Sequence, residues 1–598
     1  MKSKNLVFLD TECYQNYFLV CFKSDKLTKF YELYENSELN REDIKKILKD
    51  YTTVGFNSNN YDLPMLAHAI DIRSTNETLK QLSDYIITTK DLKKLWVIFE
   101  KFKIPYRNKQ FNHIDLFNVA PKIDSEYKVG LKVYGSRLHT KTLQDLPIEP
   151  DAIIRPDQHE LLRKYCENDV IVTKELYHAI KKEIDLRTEM SAKEDIDLRS
   201  SSDSQIAEKL VRKQFNISNP INKILYTTKG FNYMAPDFIK LENDVWLKVL
   251  ESTEFLCNEN GYINKPENVS TSFKIEEVEY SVGIGGIHSV NDSEAHTAKN
   301  DEYILDVDFT SYYPSIILHN GYYPEKLGKE FLDFYRHIYK ERILAKQNKD
   351  TLKAEVYKII LNGSFGKTAS IWSCMYDPKT MLNITLTGQL CILMLIEEIN
   401  KIGCKVISAN TDGVTFKGKL YNLNFNIQAI KQWQKITGME LEFVKYKAIY
   451  HESVNSYIAI KEDGSLKCKG VYADQGLKKN PINSVCVEAV CNYIKDNKPL
   501  RETLLENKHD IRRFLVVRKA ATGAYWKGEY LGKTVRWYYG KDGYPLEYKS
   551  KKTGNFNRVA GSEGAIPLMD LENFSIPVNI DIYEEIAKKM LINLGISI

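Results

Sequence analysis

Residues 408–416 read SANTDGVTF. Asp412-Gly413 lies between two β-branched runs, and Asp-Gly in that setting signals a hairpin. The pattern displays one carboxylate near the tip of a tight turn. Asn410 lies two residues earlier, on the same strand face. A lone Asp at a turn is ordinarily a turn residue; a second carboxylate strand nearby changes that reading. DVDFTSYYPSI at 306–316 supplies one. A buried-type strand ends at Asp308, and the chain then turns through Thr310, Ser311 and Tyr313-Pro314. Asp306 shares the strand face of Asp308 and either supports it or is a solvated charge. A third stretch, KIILNGSFG at 358–366, puts Lys358, Asn362 and Phe365 on one helical face. Gly363 and Gly366 there leave room for close approach to the backbone. Arg342 and Lys346, four apart, lie on the preceding helix. All these basic residues also fit a solvated helix face.

Carboxylates recur near the N-terminus. NLVFLDTE places Asp10 and Glu12 on one strand face by period two. NSNNYD at 57–62 supplies Asp62 after a strand, and YCEND at 165–169 places Tyr165 and Asp169 one helical turn apart. Each carboxylate singly reads as a solvated charge.

The elements that must position these residues follow from the pattern. Residues 5–10 read as a buried strand, continued antiparallel by 18–24 and 29–34. A helix near 42–50 and a strand at 51–56 come next, and helical patterns dominate 75–100 and 159–186. Residues 187–202 are polar and charged, a linker. Residues 203–258 are mixed and mostly helical. YSVGIGGIHSV at 280–290 is a Gly-interrupted strand pair, and YILDVDF at 303–309 a strand. Helices are expected at about 329–347 and 352–362, then the Asp412 hairpin and a strand at 454–460. At 598 residues, two to four domains are expected.

With 43% apolar and 27% charged residues the composition is that of a globular protein, and the net charge of +4 does not by itself imply nucleic acid. The ten cysteines include no CxxC pair, which argues against zinc-ribbon, iron–sulfur and thioredoxin-type sites. The first residues do not form a secretion signal, no membrane span is expected, and a reducing cytoplasm fits best. The stretch 511–560 carries 12 Lys/Arg against 3 Asp/Glu, with 10 aromatics. It reads as a DNA-gripping surface, Arg536 included, or as a basic β-ribbon whose aromatics form a small core.

In order and chemistry, the three stretches around Asp308, Lys358 and Asp412 resemble the family B DNA polymerases. DFTSYYPS matches their DxxSLYPS, KIILNGSFG their KxxxNSxYG, and SANTDG their YxDTDS. The N-terminal set DxE, Nx₂₋₃(F/Y)D and YxxxD resembles the proofreading 3′→5′ exonuclease of the same family. The fold implied is α/β and multidomain: an RNase H-like exonuclease followed by a right-hand polymerase with palm, helical fingers and thumb. The boundaries implied are exonuclease 1–190, a linker and palm-associated region 191–300, palm 301–326, fingers 327–366, palm 367–500 and a thumb-like region 501–598.

By this resemblance Asp308 and Asp412 hold two Mg2+ or Mn2+ ions. Arg342, Lys346 and Lys358 meet the triphosphate of a dNTP, with Ser311, while Tyr313 packs under the sugar and Asn362 meets the nascent pair. Asp10, Glu12, Asp62 and Asp169 bind two metals in the exonuclease site, and Tyr165 orients the attacking water. Asn57 and Tyr61 hold the single-stranded 3′ end. Gly285 and Gly286 belong to a segment resembling the template-guiding YxGG. Tyr457 and Lys469 fall in a region resembling the primer-contacting KKxY…KG, and Gly366 in the fingers motif. Asn410 stands where the family has its first Asp, Gly363 where it has Ser, and Phe365 where it has Tyr. The function implied is primer extension with proofreading by a compact phage or plasmid type of enzyme. It would be located in the bacterial host cytoplasm if phage-encoded. Its partners are primer–template DNA and dNTPs, with a helicase, primase or processivity factor beyond them and no membrane. The gaps of 50 and 54 residues between motifs leave no room for the insertions of protein-primed members, so a nucleic-acid primer is expected. An exonuclease whose inactive polymerase half only binds DNA is the alternative.

Overall fold

The computed structural model describes residues 5–35, 37–89, 92–104, 111–122, 129–218, 230–474 and 476–597. The chain divides into two compact units. The first comprises Met1–Ser201, Gln475–Val485 and Leu504–Tyr583, and the second Ser202–Asp474, Cys486–Thr503 and Glu584–Ile598. The stretch expected as a separate thumb, 501–598, is thus shared between them.

In the first unit β1 (Leu6–Cys13), β2 (Phe18–Lys23), β3 (Thr28–Leu33), β4 (Thr52–Gly55) and β5 (His113–Asp115) form one sheet in the order β3-β2-β1-β4-β5. The first three run antiparallel, and β4 and β5 add in parallel. Alternation along β1 sets the two faces. Val7 and Leu9 enter a core with Ile44 of α1 (Arg41–Asp50), Leu63 and Leu66 of α2 (Asp62–Ala69), and Leu79 of α3 (Asn76–Thr88). Phe8 enters the opposite core, with Val133 of α4 (Leu131–Arg137) and Leu162, Cys166 and Val170 of α5 (His159–Ala179). Asp10 and Glu12 continue the Phe8 face, so the strand period aims them at α5.

The expected linker at 187–202 is helical through Glu194, in α6 (Lys181–Glu194). Buried Leu186 and Met190 give that helix an apolar face, and buried Arg187 donates to the carbonyls of Glu183 and Ser201. The same unit holds a second antiparallel sheet. Its order is Phe556–Arg558, Glu547–Lys549, Val516–Trp526, Glu529–Tyr539, Ala565–Pro567. Phe514, Trp537, Tyr538 and Tyr583 are buried there, so part of the aromatic content is core, while Tyr530, Tyr544 and Phe556 are exposed.

The second unit is centred on a seven-stranded antiparallel sheet. Before it in the chain come α7 (Asp203–Gln214) and a separate three-stranded sheet of β6 (Thr271–Ile275), β7 (Val278–Val282) and β8 (Ile287–Ser289). The large sheet uses β9 (Glu294–Thr297), β10 (Glu302–Phe309), β11 (Lys405–Asn410), β12 (Gly413–Lys419), β13 (Leu441–Ser453), β14 (Ser456–Lys461) and β15 (Leu466–Cys468). Its order is β11-β12-β10-β13-β14-β15, with β9 pairing β13. β10 is central, and β11 and β12 are the hairpin foreseen around Asp412. Helix α8 (Tyr312–Asn320) follows β10, and then α9 (Glu330–Gln347), α10 (Thr351–Thr368) and α11 (Pro378–Lys401). Asp377 caps α11 by accepting from Thr380 N at 2.9 Å, with Pro378 in its first turn. By length and hydropathy α11 could cross a membrane, but 89% of its most apolar window is buried inside this unit. It is a core helix here. Helix α10 runs six residues beyond its expected end, so Gly363 and Gly366 are both helical.

Candidate active sites

The first unit gathers the N-terminal carboxylates. Asp10 and Glu12 share the β1 face, and α5 brings Tyr165, Cys166 and Asp169 against it. Oxygen and sulfur donors of Asp10, Glu12 and Cys166 all lie within 4.8 Å of one another. Asp62, the first residue of α2, is buried and accepts from Thr11 Oγ1 at 2.6 Å. Burial raises the Asp10 carboxyl well above its usual range, and the neighbouring charges of Asp62, Glu12 and Asp169 raise it further. Burial and then Asp169 do the same to Glu12, against the pull of Lys132. Burial pushes Asp62 up to about 7 and Asp169 up to about 6. Four carboxylates that hinder one another's ionisation form an oxygen-rich donor set whose repulsion a hard divalent cation relieves. The residues fit such an ion.

Besides Cys166, two residues here escaped the sequence reading. Lys132 on α4 hydrogen-bonds the Tyr165 hydroxyl, and its Nζ lies 4.5 Å from that ring's centroid. Asp145 sits 3.6 Å behind the ammonium. Asp115, at the end of β5, is buried and accepts from the backbone N–H groups of Asn57, Asn59 and Phe117. It thereby shapes the loop that delivers Asp62, where Asn57 itself takes φ 58°. Asn57 Oδ1 accepts from Asn60, and Tyr61 is tied to Ser83 Oγ at 2.8 Å. Both therefore already have partners within the unit.

In the second unit the register places Asp308 opposite Gly413, and Phe309 N donates to Asp412 O at 2.8 Å. The two expected carboxylates thus meet at one end of the sheet. Burial raises the Asp308 carboxyl above its ordinary value, followed by the charge of Asp306, while Lys467 lowers it. Asp306 is buried: Thr415 Oγ1 donates to Oδ1 at 2.6 Å, and the Tyr446 hydroxyl and Lys467 Nζ donate to Oδ2 at 2.5 and 2.8 Å. It is not a solvated charge. Asn410 turns away from this group, donating to Asn455 Oδ1 at 3.0 Å and accepting from Thr411 N.

Beside Asp412 lies a cavity of about 390 Å³, lined among others by Ser311, Tyr313, Arg342, Asn362 and Phe365. Tyr313 stacks on Phe365 with centroids 3.9 Å apart. Arg342 is only 9% exposed, donates through Nη1 to Ser311 Oγ at 2.8 Å, and has no partner for Nε among the described residues. A nearly buried guanidinium beside a cavity, with one N–H unpaired, suits an anion. Ser311 holds φ 53°, a left-handed conformation for a non-glycine residue, as is common where a side chain is aimed at a site.

The other residues singled out in the sequence are placed as follows. Lys358 does not line the cavity; its Nζ pairs with Glu355 at 3.0 Å, three residues back on its own helix. Lys346 is exposed. Gly363 serves helix packing rather than ligand approach, because a Cβ there would lie 2.7 Å from Ala207 Cβ of α7. Gly366 has open space, and Gly285 does too, whereas a Cβ on Gly286 would lie 3.0 Å from Thr411 Oγ1. Tyr457 is half-buried across from His451, and Lys469 is exposed. Arg536 is fully buried. Its guanidinium donates to the carbonyls of Leu568, Thr140, Lys141 and Met569, and its full burial keeps it from a phosphate at the surface.

No family model matches the sequence. The uncharacterized mitochondrial protein ymf34 of Marchantia polymorpha is 36% identical over 73 residues, 12% of this chain and 92% of its own length. The chain belongs to one family with that protein. The shared family assigns no activity. Among solved structures, the family B DNA polymerase from the hyperthermophilic archaeon Pyrobaculum calidifontis is similar at a TM-score of 0.40 and 14% identity, over 99% of this chain and 78% of that one. A likeness this distant carries no argument about mechanism.

Proposed function

We propose that the chain is a template-directed DNA polymerase with a 3′→5′ exonuclease, each activity housed in one unit. The observation that carries the reading is the meeting of Asp308 with the Asp412 hairpin beside a cavity that the Arg342 side chain lines. The motif order in the sequence supports it independently. Asp308 and Asp412 would hold divalent ions at the extending site, and Asp10, Glu12, Asp62 and Asp169 at the hydrolytic one. When bound, such ions lower the pKa of a ligand water or hydroxyl and offset charge on the transferred phosphoryl group. The chain's own residues do the rest. The Arg342 guanidinium, which lines the cavity, would meet a triphosphate oxygen. The Tyr313–Phe365 stack forms a flat apolar wall for a sugar or base and leaves little room for a 2′-hydroxyl. In the first unit the Tyr165 hydroxyl, held by Lys132, is placed to orient a water at the carboxylate cluster.

A second reading, an exonuclease whose other half only binds DNA, is favoured by one observation: Asn410 carries no charge and faces Asn455. Extension of a 5′-labelled primer–template in magnesium, with and without dNTPs, separates the two. Wild type extends with dNTPs and shortens without them. Asp412→Ala loses extension only and Asp10→Ala loses shortening only, each by roughly a thousandfold, about 4 kcal/mol. A wild type that shortens but never extends establishes the second reading.

A further inference from the structure

Asp308 is held on both sides. A Cβ on Gly413 would lie 2.3 Å from Asp308 Oδ1, so this oxygen rests over the one residue type that leaves it space. Oδ2 faces Lys467 Nζ at 3.4 Å. Lys467 comes from β15, three places from β10 in the sheet, and its Nζ also lies 2.8 Å from Asp306 Oδ2. Asp306 is 5% exposed and takes two further donors, Thr415 and Tyr446. A buried carboxylate with three donors is a fixed anchor, and an ammonium bound to it is fixed in turn. The ion pair with Asp306 therefore sets where the ammonium sits, and the ammonium sets which way Asp308 Oδ2 turns. Asp306, Asp308 and Asp412 are electrostatic neighbours, and Lys467 is the cation that two of them touch.

We propose that Lys467 is a positioning residue for the extension reaction: anchored on Asp306, it fixes the orientation in which Asp308 receives its divalent cation. This rests on the extension activity proposed above. The sequence singled out Lys469 in the same stretch. Lys467 is two residues earlier and points to the opposite use, inward to the carboxylates.

The test uses the full chain as wild type, Lys467→Met, Lys467→Arg, Asp306→Asn and the Asp306→Asn/Lys467→Met double variant. Three quantities are measured: extension turnover, thermal unfolding, and shortening of a single-stranded primer. The last reads the first unit and controls for its folding. Lys467→Met alone leaves Asp306 buried and unpaired, so it lowers both the unfolding temperature and extension. The double variant removes both charges and restores the unfolding temperature. If Lys467 orients Asp308, extension in the double variant stays depressed, roughly a hundredfold below wild type, the scale of a 1 Å misplacement. Lys467→Arg then recovers part of the loss, and primer shortening is unchanged throughout. Full extension by the double variant would overturn the proposal, because neutralising Asp306 would then be all that Lys467 does. Wild type that extends together with a Lys467→Met variant extending equally well would overturn it as well, leaving the polymerase reading intact. Absence of extension in wild type would overturn both.

Discussion

At Gly413 a side chain would crowd the Asp308 carboxylate. An added Cβ meets Asp308 Oδ1 at 2.3 Å and Val307 O at 3.2 Å, and the second of these is backbone that cannot swing aside. Gly413→Ala is expected to turn the Asp308 carboxylate, lowering primer extension about tenfold to a hundredfold and stability by ~1–3 kcal/mol through overpacking. Primer shortening, which the proposed function assigns to the other unit, is the comparison that isolates the effect. A second residue-scale prediction concerns Asp62. Its carboxyl, pushed up to about 7 by burial, releases its proton near 3.8 in the unfolded chain. Between those values the folded state holds the extra proton, so its contribution to stability is present at low pH and is lost as pH rises through about 7. In EDTA the wild type should therefore melt lower at pH 8 than at pH 5.5. Asp62→Asn should melt higher than wild type at pH 8, by roughly 3 °C for each ~1 kcal/mol gained, while losing nuclease activity. Calorimetry with and without magnesium checks both. Residues such as Asp10, Glu12, Asp308 and Asp412 were legible because strand period and turn chemistry are local. Lys132, Asp115, Cys166 and Lys467 were not, because each reaches its site through pairing between elements distant in sequence, and no local pattern announces that.

At the scale of elements, α10 shows how one motif can hold two unrelated constraints. Gly363 and Gly366 looked alike in the sequence, both read as room for a ligand. In the fold, a Cβ on Gly363 lies 2.7 Å from Ala207 Cβ and 3.2 Å from Asp203 O on α7, whereas Gly366 faces open space. Removing a mid-helix glycine gains about 1 kcal/mol in helix propensity, so the two substitutions should differ in sign. Gly363→Ala forces two helices apart and should lower stability despite that gain. Gly366→Ala should raise it by up to ~1 kcal/mol. Denaturant titration reads both, and a drop in extension with Gly366→Ala at raised stability would mean that DNA or nucleotide approaches that turn. The helix itself was legible, but its length was not: the expected end at 362 falls just before Gly363, which is held in helix by its packing on α7. The same tertiary override made helix of residues 187–194, where buried Leu186, Arg187 and Met190 outweigh a polar composition.

At the scale of the whole molecule, the basic C-terminal stretch separates into a buried frame and a wet surface. Arg536 belongs to the frame: four carbonyls from the segments 140–141 and 568–569 take its donors, and burial lowers its pKa to about 10, which leaves it charged at neutral pH. Arg518, Lys519, Lys533, Lys551 and Lys552 are exposed. Composition could count the charges of this region but could not sort them, since burial of an arginine depends on which carbonyls a distant loop presents. The sorting has a measurable consequence if the exposed set meets DNA. Each phosphate contact contributes about 0.9 to the slope of log affinity against log salt on duplex DNA. Lys551→Ala/Lys552→Ala should therefore reduce that slope by about 1 to 2 while leaving the unfolding temperature near wild type. Arg536→Met should do the reverse. Its loss takes the donor from the carbonyls of Leu568 and Thr140, at ~1–3 kcal/mol for each unsatisfied group before relaxation, while those of Lys141 and Met569 still accept from Leu571 N and Leu143 N, so thermal stability falls and the salt slope of the protein that remains folded is unchanged. Fluorescence anisotropy of a labelled primer–template over a salt series, run below the melting temperature of both variants, gives the two slopes. Equal slopes for wild type and the double lysine variant would remove residues 551–552 from the DNA-binding surface, and a reduced slope for Arg536→Met would return that arginine to it.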